Sequence, residues 1–318
     1  MASNPSGRPR ILILKPSSLG DIIHALPAVH LIRQRYPQAH LAWLVNTAFI
    51  SVLKHCPVLD EIIPFPRHEY RRLPALIRHL RRARYDIVVD LQGLLRSGLL
   101  AALSGAPRRI GLSDARECAG FFHNEVISVP RIHAVDRYLR AAVHLGGAAG
   151  PVEFPLGLAA GGRSEEFLAI NTSARWPTKL WGDDKFAELI RQLPQDRVIL
   201  TGSAAEADRI GRVAQGCRNL AGKTDLFELA GWYRRCAVVV TNDSGPMHLA
   251  AAVGTPVVAI FGPTDPALTG PYGKGHTVLR VTLPCAPCFK GRCANPNSMA
   301  CMTGVSVAEV LQAVQKFI

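Results

Sequence analysis

The segment Ala237–Thr264, AVVVTNDSGPMHLAAAVGTPVVAIFGPT, restricts the fold of this 318-residue chain more than any other. A buried-strand pattern, Ala237–Val240, runs into the polar turn Thr241-Asn242-Asp243-Ser244-Gly245. A short helix follows, with Pro246 in its first turn and Gly254 past its end, and a second apolar strand, Val257–Phe261, closes the unit. Proline near the start and glycine beyond the end is the asymmetry that helix termini favour. Strand, glycine turn and helix N-terminus aim unpaired backbone N–H groups and the helix dipole at one spot, which suits an anion. The unit is expected to hold phosphate at the carboxyl edge of a parallel sheet.

The same alternation runs through the chain. Strands are expected at Arg10–Lys15, Leu41–Val45, Glu61–Pro66 and Tyr85–Leu91, with helices at Ile22–Tyr36, Phe49–His55, Leu73–Arg84, Leu94–Leu103 and Ala134–Leu145. Gly146–Gly162 is rich in Gly, Ala and Pro and reads as a connection. The pattern then restarts with strands Phe167–Asn171 and Arg197–Thr201 and helices Asp183–Leu193, Ala205–Gln215 and Leu226–Arg234, before the segment above and a last helix, Val307–Phe317. This order predicts an α/β protein of two Rossmann-like domains facing a cleft, residues 1–155 and 156–318. The turn Lys15-Pro16-Ser17-Ser18-Leu19-Gly20-Asp21 after the first strand echoes Thr241–Met247 after a late one, and both turns are expected to open onto that cleft.

The formal net charge is +13. Up to Glu153 there are 20 Lys/Arg against 11 Asp/Glu, or +9, and the remainder has 17 against 13, or +4. An anionic partner is therefore expected to meet the N-terminal half. Arg67, Arg71, Arg72, Arg78, Arg81, Arg82 and Arg84 crowd one stretch with a single acid, Glu69. Like charges at helical spacing repel, which argues against a merely solvated helix face. The polar first ten residues give no secretory leader, and no apolar run reaches the roughly 18 residues that span a bilayer, so a cytoplasmic location is expected. Cysteines in such a location are expected as thiols or metal ligands. Cys285-x2-Cys288-x4-Cys293-x7-Cys301 leaves a structural zinc open, with free thiols or one local disulfide as the favoured reading. No Asp-x-Asp, GxxxxGK[ST] or GxGxxG fingerprint is present, which weighs against a diphosphate-bound cation, a P-loop NTPase and a nicotinamide enzyme.

Four stretches carry a family resemblance: ILILKPSSLGDIIHALPAVHLIRQRYP at the N-terminus, DLQGLLRSGLLAALSGAPRRIGLSDARE, NTSARWPTKLWGDDKFAELI and TNDSGPMHLAAAVGTPVVAIFGPTDP. In these the chain resembles the ADP-heptose:lipopolysaccharide heptosyltransferases, inverting glycosyltransferases of family 9 with the GT-B fold. The Cys-rich tail resembles some members of that family and is missing from others. The resemblance implies an ADP-heptose donor, a lipopolysaccharide inner-core acceptor at the membrane surface, no cofactor and no metal. It also implies a cytoplasmic enzyme, with peripheral attachment to the inner face of the cytoplasmic membrane as a further option.

Asp21 suits two tasks: capping its own helix, or removing the acceptor hydroxyl proton, and the resemblance places the family's general base there. Lys179 reads as a solvated loop lysine or as the ammonium that neutralises the departing diphosphate, and the resemblance favours the second. Thr172 and Ser173 read as turn formers or as hydroxyl donors to the same phosphates or to the base. The amides of Ser244, Gly245 and Met247 are expected to face the diphosphate, with Asp243 either an N-cap or an acceptor for sugar hydroxyls. His248 reads as a packed residue or, through the family motif, as a sugar or phosphate contact. Thr224 and Asp225 complete the expected nucleotide site. Ser18, Gly20, Arg67, Arg71, Arg72, Arg96 and Arg116 make up the expected acceptor site, since guanidinium forks suit sugar-acid carboxylates and lipid phosphates. The last helix is expected to cross back onto the N-terminal domain, as in other GT-B proteins. Two other readings are a nucleic-acid-binding protein using the arginine helix, against which the lack of interleaved aromatics counts, and a transferase of another nucleotide sugar.

Overall fold

Parallel strands buried on both faces read as near-continuous apolar runs, and six of the strands here do. The computed structural model describes residues 7–65, 69–148, 150–159, 164–214 and 216–318. The chain divides into two units, Met1–Gly157 and Leu158–Ile318. Gly157, just before the division, has φ +72°, and a Cβ there would lie 1.8 Å from the His55 carbonyl oxygen. Only glycine passes that point without displacing backbone.

The first unit contains β1 (Arg10–Leu14), α1 (Leu19–Arg35), β2 (His40–Asn46), α2 (Ile50–Leu53), β3 (Glu61–Phe65), α3 (Leu73–Ala83), β4 (Ile87–Asp90), α4 (Leu95–Leu103), β5 (Arg108–Leu112), β6 (Glu125–Ile127) and α5 (Ala134–His144). Its sheet has the order β3-β2-β1-β4-β5-β6, parallel throughout. The inward residues of one face (Leu12, Leu14, Leu44, Val88) pack under Leu76 and Leu80 of α3 and Leu100 and Ala101 of α4. Helices α1 and α5 pack together elsewhere in the unit.

The second unit contains β7 (Phe167–Asn171), α6 (Asp183–Arg191), β8 (Val198–Thr201), α7 (Ala207–Ala214), β9 (Arg218–Asn219), α8 (Leu226–Arg234), β10 (Cys236–Asn242), α9 (Gly245–Ala252), β11 (Val257–Phe261), α10 (Pro266–Thr269), β12 (Thr277–Arg280), α11 (Ala300–Thr303) and α12 (Val307–Val314). Its order, β12-β11-β10-β7-β8-β9, is the same arrangement counted from its own first strand. Both units are thus doubly wound Rossmann-like sheets of order 3-2-1-4-5-6. Each strand order reverses at one place, between β1 and β4 and between β7 and β10. Loops leaving those neighbouring strands diverge, and ligands of open α/β sheets bind there.

In the second unit Val307, Val310, Ala313 and Val314 of α12 lie in the core, against α6, β11 and β12, because their spacing gives that helix one apolar face. Helix α1 begins at Leu19 rather than Ile22, since Ser18 caps it. Pro66 and Gln215, included in an expected strand and helix, lie outside the described residues.

Trp181 ties this tail down. It is buried, its indole N–H donates to the Val305 carbonyl at 2.9 Å, and its ring meets Phe186 edge-on at 4.9 Å. Replacing Trp181 by Ala is expected to lower the unfolding free energy by about 3–5 kcal/mol in a urea titration; a loss under roughly 1 kcal/mol would show that the tail is held by other contacts.

Candidate active site

In the first unit the chain leaves β1 through Lys15 and enters α1 at Ser18. Asp21 is the third residue of that helix, and its Oδ2 accepts from the Ser18 N–H at 3.1 Å and the Ser18 Oγ–H at 2.8 Å. Its other oxygen, Oδ1, accepts from the Tyr138 hydroxyl at 3.3 Å and lies 3.8 Å from Lys15 Nζ. The Lys15 side chain is 4% exposed and that of Asp21 37%, so the pair presents its carboxylate to solvent. Tyr138 is fixed in turn by Arg137, which donates to its hydroxyl at 2.8 Å and pairs with Asp114 at 2.5 Å. Burial works against the Asp21 carboxylate, but the Lys15 ammonium and the Ser18 donors outweigh it and hold its carboxyl well below the usual range. Burial likewise opposes the Lys15 charge, and Asp21 and Tyr138 overcome it, leaving the ammonium above its ordinary value.

A second layer supports this turn. Gln92 Oε1, on the loop after β4, accepts from the Ser17 N–H at 3.2 Å. That loop is set by buried Asp90, whose Oδ1 accepts from the amides of Gln92 (2.9 Å) and Gly93 (3.0 Å) and whose Oδ2 accepts from Ser97 Oγ (2.9 Å) and contacts His123 Nε2 (3.0 Å). Both loops at the reversal between β1 and β4 are therefore fixed to each other.

In the second unit Asn242 ends β10 and Asp243 follows it. Asn242 clamps two segments, its Oδ1 accepting from the Trp181 N–H at 3.1 Å and its Nδ2 donating to the Thr172 carbonyl at 2.9 Å. Asp243 is 5% exposed, and its Oδ2 accepts from Lys179 Nζ and from Thr264 Oγ1, each at 2.5 Å. The ammonium also lies 5.0 Å from the centre of the Trp176 ring. Thr172 is 2% exposed, and its Oγ1 is buried without a hydrogen-bond partner among the described residues. Ser173 Oγ accepts from Arg209 at 2.9 Å, and Arg209 pairs with Asp183.

Several expected roles change in detail. Asp243 is buried and holds Lys179 and Thr264 through Oδ2. The N-cap of α9 is Ser244 rather than Asp243. The Met247 N–H is not offered outward but donates to the Ser244 carbonyl at 3.1 Å, which leaves the Ser244 and Gly245 amides as the donors of that first turn without an intrahelical acceptor. Asp225 caps α8, accepting from the Glu228 N–H at 2.8 Å, with half-buried Thr224 beside it. His248 is buried in α9.

On the acceptor side, Ser18 is the helix cap and Gly20 is buried inside α1. Arg71 and Arg72 are exposed just before α3, Arg72 pairing with Glu69 at 2.6 Å. Arg96 is exposed in the first turn of α4, and exposed Arg116 donates its amide to the Gly93 carbonyl at 2.8 Å, beside the β4 loop. Arg67 lies outside the described residues. All eight cysteines are free thiols, so no local disulfide forms; Cys285, Cys288 and Cys293 are exposed and Cys301 half-buried. Among the described residues no three His, Cys, Asp or Glu are grouped as a metal-ligand set. Nor is any described helix long and apolar enough to cross a membrane. Sequence reasoning missed Tyr138, Arg137, Thr264 and Arg209, which reach the site from distant elements. The buried Lys15, directly after an apolar strand, was visible but not read.

Two Rossmann-like units with polar turns at their strand-order reversals are the GT-B architecture. The model of glycosyltransferase family 9 (heptosyltransferase) matches residues 73–299, and the chain belongs to that family. Among curated relatives, lipopolysaccharide heptosyltransferase 1 of Pseudomonas aeruginosa is 33% identical over 316 residues, covering 89% of this chain and 87% of its own. Among solved structures, E. coli heptosyltransferase WaaC with ADP has a TM-score of 0.79 at 26% identity, covering 97% of this chain and 100% of its own. E. coli ADP-heptose lipopolysaccharide heptosyltransferase II has the same score and identity, covering 97% and 98%.

The Lys15–Asp21 pair gives a signed pH prediction. The carboxyl of Asp21 is depressed in the folded chain, so its contribution is complete above the unfolded value near 3.8 and is lost as pH falls through the folded value. Lys15 is raised, so its contribution is complete below 10.5 and is lost as pH rises beyond that. Asp21→Asn is expected to cost about 1–3 kcal/mol at neutral pH, less than a fully buried pair because part of Asp21 meets water. The wild-type-minus-variant difference, read by denaturant titration, stays level between those two values and shrinks below the lower one. A difference that instead grows in acid contradicts the pairing.

Proposed function

We propose that the chain transfers a heptose from ADP-L-glycero-D-manno-heptose to the inner core of lipopolysaccharide, the Kdo–lipid A region, by a single inverting displacement that needs no metal. The observation that carries this reading is the Lys179–Asp243–Thr264 group beside the first turn of α9, at the strand-order reversal of the second unit. It combines a positioned ammonium with the Ser244 and Gly245 amides, which is the equipment for a departing diphosphate. Thr172 and Ser173 lie on the loop that Asn242 holds, and the unpartnered Thr172 hydroxyl suits a phosphate oxygen. Thr224, Asp225 and His248 complete the donor side. The second unit is the donor-binding domain in this reading.

The first unit supplies the acceptor and the base. Arg71, Arg72, Arg96 and Arg116 are exposed guanidiniums suited to sugar-acid carboxylates, with Ser18 and Gly20 shaping the turn. Asp21 keeps Oδ2 in its cap and Oδ1 against Tyr138 and Lys15, with its side chain 37% exposed. A carboxylate is a weak base toward a neutral hydroxyl, and the Lys15 ammonium beside Asp21 makes it weaker still. It takes the proton only once attack on the anomeric carbon has made the acceptor oxygen acidic, so bond formation runs ahead of proton transfer. The enzyme works at the cytoplasmic face, where its lipid-borne acceptor is presented.

Purified chain, ADP-heptose and deacylated core acceptor are expected to release ADP, with turnover unchanged by a chelator and with inverted anomeric configuration by NMR. Asp21→Asn should lower kcat by about 10²–10⁴-fold while ADP binding changes little. Retained turnover in a folded variant sinks the base assignment. Lys179→Ala should lower kcat/KM by roughly 10²–10³-fold and weaken ADP binding; unchanged kinetics would remove it from the site.

A further inference from the structure

The carboxamide of Gln92, on the loop after β4, has one arm in use and one free. Its Oε1 accepts from the Ser17 N–H at 3.2 Å. Only the oxygen can accept, so that contact fixes which way the planar group is turned. The other arm, Nε2, is a donor group and has no hydrogen-bond partner among the described residues. Gln92 is half-buried, and it stands where the strand order reverses between β1 and β4, the place at which open α/β sheets bind ligands.

Several elements hold this residue in place. The Leu91 and Gln92 amides both donate to the Leu14 carbonyl at 3.1 Å, and the Gln92 amide also reaches Asp90 Oδ1 at 2.9 Å. Asp90 is buried and is engaged by Gly93, Ser97 and His123 besides. A Cβ on Gly111 of β5 would lie 2.0 Å from His123 Nδ1, so that glycine makes the seat for the imidazole. The same loop meets Arg116. Gly93, at φ +62°, brings Ala115 so near that a Cβ would lie 3.2 Å from its Cα, and the Arg116 N–H donates to the Gly93 carbonyl. Arg116 is exposed, and its guanidinium forms no ion pair among the described residues. The base turn, a fixed amide donor and a free guanidinium are thus bonded together through neighbouring loops.

We propose that Gln92 determines acceptor specificity: Oε1 holds the Ser17–Asp21 turn, and Nε2 donates to an oxygen of an acidic acceptor sugar whose carboxylate pairs with Arg116. The inference rests on the acceptor and base reading above and adds to it a residue that serves both. A fixed donor rejects a sugar that lacks the matching oxygen, because its N–H groups are then left unpaired. A glutamate of the same reach would hold the turn equally but repel that sugar.

Two variants of the full chain separate the two arms. Gln92→Glu keeps an oxygen for the Ser17 N–H and puts a second oxygen where Nε2 stood. Gln92→Met, of nearly the same length, removes both. In hydrogen–deuterium exchange read by mass spectrometry, residues 15–21 should keep their protection in Gln92→Glu and exchange about tenfold faster in Gln92→Met. Calorimetric affinity for the deacylated core acceptor, without donor, should fall by about 10–100-fold in Gln92→Glu, with ADP binding unchanged. Gln92→Met should lower kcat by about tenfold, and that loss should disappear when it is added to Asp21→Asn. Unchanged exchange in Gln92→Met, unchanged acceptor affinity in Gln92→Glu, or a kcat loss as large with Asp21→Asn as without it overturns the role. A wild-type chain that binds the acceptor but releases no ADP sinks the transfer reading alone, and full turnover in Asp21→Asn sinks the base reading alone, since exchange and calorimetry still decide Gln92.

Discussion

Each unit keeps a lysine–aspartate pair where its strand order reverses, and the two pairs are turned opposite ways. In the first, Lys15 is buried and Asp21 reaches solvent; in the second, Asp243 is buried and Lys179 is the more exposed partner. Burying one member fixes the other, because an unpaired charge in the sheet edge would carry a desolvation cost of several kcal/mol. The same fold thereby holds out a carboxylate in one unit and an ammonium in the other. A displacement needs both signs, one to receive a proton and one to meet the charge of a leaving group.

The supports around the pairs follow from that constraint. Asp21 is stabilised by its own helix cap and by Tyr138, which Arg137 braces from α5. Asp243 is held by Thr264 from the loop after β11, and its neighbour Asn242 binds both the Thr172 carbonyl and the Trp181 amide. The Lys179 loop is pinned at its far end too, where Thr178 donates to the Lys290 carbonyl at 2.8 Å. Charged ends that must stay in place for a reaction are thus fixed by hydrogen bonds from several elements, which limits reorganisation when charge moves.

Much of this was legible in the sequence, and the gaps have physical causes. The interior strands β1, β2, β4, β7, β10 and β11 declare themselves as apolar runs because both their faces are covered. Strand β5 was missed because it opens with Arg108 and Arg109; Arg108 is satisfied by a two-pronged pair with Glu125 of β6, a contact that no local pattern announces. Strands β6, β9 and β12 are short edge strands with weak alternation, and they escaped for that reason. Asp21, Lys179 and Asp243 were all picked out, yet the ion pair between Asp243 and Lys179 was not foreseen. The burial of Asp243 depends on Lys179, 64 residues earlier, and on Thr264, 21 residues later, and a one-dimensional reading sees an aspartate in a turn only as a cap or an open acceptor.

The Thr172 hydroxyl completes the picture of the donor side. It is buried at the end of β7, next to the strand that leads into Asp243, and it has no partner among the described residues. A polar group left in that condition costs about 1–3 kcal/mol, which a bound hydrogen-bond acceptor would recover. In the proposed function, a phosphate oxygen meeting that hydroxyl would recover it, with the Ser244 and Gly245 amides and the Lys179 ammonium as further donors to the diphosphate. Folding has therefore already desolvated the Thr172 hydroxyl before any diphosphate arrives. Binding gains from that prior desolvation, and departure of the sugar, which concentrates charge on the same oxygens, gains from it more strongly.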